Sequence, residues 1–204
     1  MTCRVNQESL ANYIAHAESG RVVVFDTETT GTSNCDEIVQ IAAAEYVHGE
    51  KTRELNLYIV PTCEIDPRAE AVHHLSREFL EANGIAPEVA LERFFDFLGG
   101  DVLLVGHNIH FDFRMLQNEC RKFGYSVEPD EVSFCDTIAL AKRFAPGMVN
   151  YKLGTLIDAL GLDGENSHNA LDDTLACGAL FFDLVGRIPR AGEYVYVPIE
   201  EDAF

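Results

Sequence analysis

The stretch that most constrains this chain is RVVVFDTETTG, residues 21–31, in which a run of four strand formers ends in two carboxylates. Val22, Val23, Val24 and Phe25 are β-branched or aromatic, the residue types that suit a buried strand. Side chains alternate across a strand, so Asp26 and Glu28 face together wherever extended structure persists to Glu28. Two carboxylates crowded at the mouth of an apolar sheet repel, and one must take up a proton unless a cation offsets the charge. Taken alone, D-x-E describes a solvated strand end better than a metal site, because so short a motif recurs by chance. More acids must converge before a metal becomes the better reading.

The neighbouring segments predict the sheet around this strand. EIVQIAAAEYV and ELNLYIV read as two further strands, so that the first three form a meander. Before them, residues 7–19 place Leu10, Tyr13, Ile14 and Ala17 on one helical face, and Gly20 supplies a stop. The segment from Pro67 to Gly100 reads as helical, with Ser76 in a capping position and Pro87 opening a second piece. DVLLVG is then a short apolar strand, FDFRMLQNECRKFG a helix and VSFCDT another strand, followed by helices at about 137–145, 152–160 and 169–186. Three successive strands and then strand–helix units predict an α/β fold with a central mixed five-stranded sheet flanked by helices.

A length of 204 residues suits one domain, taken as residues 1–190 with its short helix at 7–19, and an acidic arm or tail at 191–204. The longest apolar runs fall far short of the roughly 20 residues that span a bilayer, and the N-terminus lacks a charged-then-apolar leader, so a soluble cytoplasmic protein is expected, with no membrane partner. The six cysteines are scattered without a C-x-x-C pair, which argues against a zinc knuckle or a disulfide framework. With 34 acids against 15 bases, the formal charge of −19 argues against non-specific gripping of long duplex DNA. A polyanionic substrate would need a local counter-charge.

Two further acidic positions lie beside apolar segments. In VGHNIHFDFRML, Asp112 stands near the start of a helix, just beyond a short strand, where open α/β sheets carry their sites. The ordinary explanation is compensation of the helix dipole. In SHNALDDTLACGAL, His168 precedes Asp172 and Asp173 at the head of a helix. Helical spacing pairs His168 with Asp172, whereas a His168 on the preceding loop leaves Asp173 free to point into a site.

FDTETTG, HNIHFDFRML and HNALDDTLA, in this order and at these separations, resemble the three motifs of the DEDDh (DnaQ-like) 3′→5′ exonucleases, a superfamily that includes proofreading subunits of bacterial DNA polymerases. The likeness spans roughly residues 21–186, and EIVQIAAAEY and FCDTIALAKRFAPG resemble the family's connecting segments. It implies a ribonuclease H-like fold. By the resemblance, Asp26, Glu28, Asp112 and Asp173 match the family's metal-binding carboxylates, and His168 matches its general base. Family register thus prefers Asp173 over Asp172. Two divalent cations, Mg²⁺ or Mn²⁺, are the implied cofactors, and nucleoside 5′-monophosphates released from 3′ ends are the implied product.

The resemblance also implies contacts to the terminal nucleotide from Thr27, Thr29, Thr30, Val72, His73, Asn108 and Phe111. His74 stands where the family usually has glycine, a departure that bears on the shape of that loop. Six of the fifteen bases lie between residues 114 and 152 and could form a local path for a short single strand. Single-stranded DNA 3′ ends are the expected substrate, and a polymerase or other nucleic-acid machinery the expected partner. RNA trimming uses the same chemistry and is the alternative. A catalytically silent module that binds a basic partner through its acidic surface is a third reading, disfavoured by the presence of all five catalytic positions.

Overall fold

The structure is a computed structural model that describes residues 7–125, 133–164 and 167–190. The acidic segment 191–204 lies outside the described residues. Helix α1 (Gln7–Ser19) leads into β1 (Arg21–Thr29), β2 (Ile38–Val47) and β3 (Glu50–Tyr58), paired antiparallel as the expected meander. Three short helices follow, α2 (Pro67–His73), α3 (Arg77–Asn83) and α4 (Pro87–Leu98), where the sequence reads as helical. Next come β4 (Leu103–Gly106), α5 (Ile109–Lys122), β5 (Phe134–Asp136), α6 (Thr137–Phe144), α7 (Leu153–Leu160) and α8 (Ala170–Gly186). The sheet order is β3-β2-β1-β4-β5, with β4 and β5 parallel to β1, so the mixed five-stranded sheet has the VVVF strand at its centre.

Alternation along β1 divides the core. Val22 and Val24 pack with α1, α6, α7 and α8, while Val23 and Phe25 pack with α4 and α5. All four are at most 1 % exposed, and burying side chains of this size contributes roughly 1.5–3 kcal/mol each. A strand covered on both faces has no room for an unmet charge, so after the VVVF run polar residues resume only toward the C-terminal end of β1, from Asp26 onward. Among the described residues no helix is long and apolar enough to cross a membrane.

Capping chemistry accounts for the helix boundaries near the site. Asp66 accepts the Arg68 N–H at the start of α2, with Pro67 in the first turn, and Ser76 caps α3 through the Phe79 N–H. Helix α2 ends on His74, whose φ of 60° and ψ of 20° place it in the left-handed region. This is the position where glycine is usual because it has no Cβ to clash. The loop therefore keeps the glycine conformation with a histidine in it. Gly178 on α8 answers a different need: a Cβ there would lie 2.5 Å from the Tyr46 hydroxyl, so its absence lets α8 lie close on β2.

Candidate active site

The alternation that sorts the core also sorts the site. Strand β1 stays extended through Thr29, so Asp26 and Glu28 continue the Val22–Val24 face, under α8, and Thr27 continues the opposite face, under α5. From α8, Asp173 completes a group with Asp26 and Glu28 in which one carboxylate oxygen from each lies within 4.8 Å of the others. Asp112, in the first turn of α5, approaches from the other side. Its Oδ1 accepts the Thr27 N–H at 3.0 Å and the Thr27 hydroxyl at 2.7 Å.

The electrostatics follow from this convergence. Burial is the main reason that Asp26 is pushed well above the usual carboxylate range, and the charges of Asp112, Glu28 and Asp173 add to it. Glu28 is pushed up to about 8, first by burial and then by Asp173 and Asp112. Asp112 rises to about 7 through burial, against the opposing pull of its bonds to Thr27. Without a cation the cluster therefore holds protons at neutral pH. A set of hard oxygen donors this close, and this costly to ionise, fits a hard divalent cation.

The adjacent acids of α8 separate clearly. Asp172 is half-buried and accepts the Ser167 hydroxyl at 2.6 Å, while Asp173 is buried among the other carboxylates. His168 is exposed on the loop, with φ of 56°, immediately before the helix cap Asn169. Being off the helix, it escapes the spacing rule that would pair it with Asp172.

Beside the carboxylates lies an open cleft of about 410 Å³, lined by Thr27, Glu28, Thr29, Val72, His73 and Phe111 among others. His73 is buried, and its Nδ1 accepts the Leu75 N–H at 3.0 Å. Nε2 therefore carries the proton, with the Thr29 carbonyl as electrostatic neighbour and no hydrogen bond of normal geometry. Burial lowers the His73 pKa, which keeps the ring neutral. Phe111 carries the Arg114 guanidinium 5.2 Å from its ring centre, and Arg114 in turn bonds Asn34 Oδ1 and the Thr32 carbonyl. Helix α5 thus pins the β1–β2 turn that forms one wall.

Two expected contacts lie apart from the cleft lining. Thr30 is fully buried, and its hydroxyl meets Asp36 at 3.1 Å, Cys63 at 3.4 Å and the Glu37 N–H at 3.0 Å. Asn108 is exposed, adopts φ of 66°, and donates its backbone N–H to Asp136. Thr29 lines the cleft, but its hydroxyl donates to the Gly31 carbonyl at 2.6 Å. Asp66, Arg68 and Ala69 also line it, and the sequence marks them only as a helix start, D-P-R. Of the six bases between residues 114 and 152, Lys122 is held by Glu37 at 2.8 Å and Glu119 at 3.1 Å, and Lys142 lies over the Tyr151 ring. The local basic path is correspondingly thinner than the composition suggests.

A mixed sheet of this order, with carboxylates gathered at the C-terminal end of its central strand, defines a ribonuclease H-like α/β protein. Residues 23–181 match the family model RNase_T, described as Exonuclease. The chain belongs to that exonuclease family, within the DnaQ-like superfamily. The DNA polymerase III subunit epsilon of Haemophilus influenzae is 32 % identical over 176 residues, which cover 81 % of this chain and 68 % of that protein. The 3′-5′ exonuclease DinG of Bacillus subtilis is 34 % identical over 170 residues, 82 % of this chain; the match spans only 18 % of the length of DinG. Among solved structures, the zinc-bound complex of Escherichia coli exonuclease I with single-stranded DNA superposes with a TM-score of 0.73 at 21 % identity, covering 85 % of this chain and 42 % of that one.

Proposed function

We propose that this chain is a metal-dependent exonuclease that works from the 3′ end of single-stranded or frayed DNA and releases nucleoside 5′-monophosphates. The observation that carries the reading is the meeting of Asp26, Glu28 and Asp173, with Asp112 alongside, at the edge of a cleft open to solvent. DinG is a relative named as a 3′-5′ exonuclease, epsilon is named as a DNA polymerase III subunit, and the superposed exonuclease I is bound to single-stranded DNA. Residues 1–190 are taken as one exonuclease domain acting in the cytoplasm, with a polymerase or related machinery as protein partner.

Asp26, Glu28, Asp112 and Asp173 would hold two divalent cations, Mg²⁺ or Mn²⁺, which when bound cancel the carboxylate charge and polarise the phosphodiester. His168, exposed on the loop that leads into α8, takes a proton from the attacking water as general base. The water oxygen bonds to phosphorus, the bond from phosphorus to the 3′-oxygen breaks, and the departing oxygen gains a proton from solvent. Arg68, exposed on the first turn of α2, supplies positive charge at the cleft rim, partly offset by Asp66 at 2.8 Å. The neutral ring of His73 lines the cleft beside the terminal nucleotide, and the ring of Phe111 offers a face for stacking.

Side-by-side digestion of labelled single-stranded DNA and RNA, with Mg²⁺ or Mn²⁺ and with chelator, tests the proposal. Stepwise, cation-dependent shortening of DNA is expected, and Asp26→Ala should abolish it while the protein stays folded. Preference for RNA would redirect the substrate, and undiminished activity of Asp26→Ala would overturn the metal assignment.

A further inference from the structure

Gln40 is fully buried on β2, where Glu45 is the other buried polar residue, and it stands opposite Glu28 in the β1–β2 register. A buried carboxamide costs stability unless its atoms are bonded, and Gln40 spends all of its bonding on holding separate elements together. Its Nε2 donates to Asn56 Oδ1 on β3 at 2.8 Å and to Asn169 Oδ1 at 3.5 Å, and its Oε1 accepts the Ala170 N–H at 3.3 Å. Asn169 directly follows His168, caps α8 through the Leu171 N–H, and accepts the Asp173 N–H on its carbonyl. Two residues along β2, the Ala42 carbonyl opposite Asp26 accepts the Thr174 hydroxyl at 3.4 Å.

The head of α8 is therefore fastened to the same strand pair that carries Asp26 and Glu28. No hydrogen bond among the described residues holds the His168 ring itself, so its position is inherited from Asn169. We propose that Gln40 is a positioning residue for catalysis, which sets His168 over the carboxylates through the Asn169 cap. The inference rests on the general-base role proposed for His168. Its physical content is that a loop side chain displaced by about 1 Å can cost about 100-fold in rate while substrate binding persists.

The test uses the full chain and a labelled single-stranded oligonucleotide with Mn²⁺. Gln40→Met keeps the volume and removes the bonds. Asn56→Ala, at an exposed position on the edge strand, loosens Gln40 without touching the core. The expected result is a kcat loss of about 100-fold for Gln40→Met and about 5-fold for Asn56→Ala, with KM changed less than about twofold. In a His168→Ala background both losses should vanish, because the group they position is gone. Full losses persisting in that background, or wild-type kcat in both single variants, would overturn the proposal. Should His168→Ala alone retain the wild-type rate, the general-base reading fails instead, which separates the two.

Discussion

Replacing Glu28 with glutamine should stabilise the cation-free protein while removing its activity. In the folded chain Glu28 is pushed up from 4.5 to about 8 by burial and by Asp173 and Asp112. A carboxyl whose pKa is raised on folding contributes stability that is fully present below about pH 4.5 and is lost as pH rises through about 8. At pH 7 the difference amounts to on the order of 3 kcal/mol, an upper value because the half-buried side chain can swing toward the cleft mouth. Glutamine has no such proton to lose. With chelator at pH 7, the Glu28→Gln protein should therefore melt about 5–10 °C above wild type, and its melting temperature should fall less between pH 5 and pH 8. Saturating Mn²⁺ should narrow or reverse the order, since a cation at 100 times its Kd adds about 2.7 kcal/mol to the protein that binds it. Calorimetry or far-ultraviolet melting reads all four conditions. A variant that melts at or below wild type in chelator would refute the claim that these carboxylates are crowded.

Other expectations concern single positions. His168→Ala should lose several decades of kcat, with partial recovery at higher pH where hydroxide replaces the base; a pH profile parallel to wild type would refute its role. Asp173→Asn should cost far more activity than Asp172→Asn, whose carboxylate is engaged by Ser167, and the reverse order in steady-state assays would reassign the pair. His74→Gly should raise stability by about 0.5–1 kcal/mol in denaturant titration, since the left-handed backbone is strained for histidine; a lowered midpoint would mean that the side chain carries more than the strain costs.

Much of this architecture is legible in the residues because one rule, alternation along a strand, governs both core and site. The apolar run Val22–Phe25 announces a strand covered on two faces, and D-x-E then follows on the α8 face. What stays hidden is set by contacts from distant parts of the chain. Nothing local to Thr30 tells that Asp36 and Glu37 fold back on its hydroxyl, nor that Thr27 spends its own on Asp112, 85 residues away. Helical spacing fails for His168 because Asn169, not His168, caps α8, a distinction of one residue at a boundary. Gln40 reads as one polar residue within the run IVQIAAA, and its side-chain partners Asn56 and Asn169 are 16 and 129 residues distant.

The four carboxylates are spread from residue 26 to residue 173 of a chain of 204. A ribosome delivers Asp26 and Glu28 first, Asp112 about 85 residues later and Asp173 last of the four. A chain that stops before α8 lacks Asp173, and a slip of one residue in the β1–β2 pairing would turn both early acids to the wrong side. For the nuclease proposed above, the docking of α8 is thus the step that completes the acidic group.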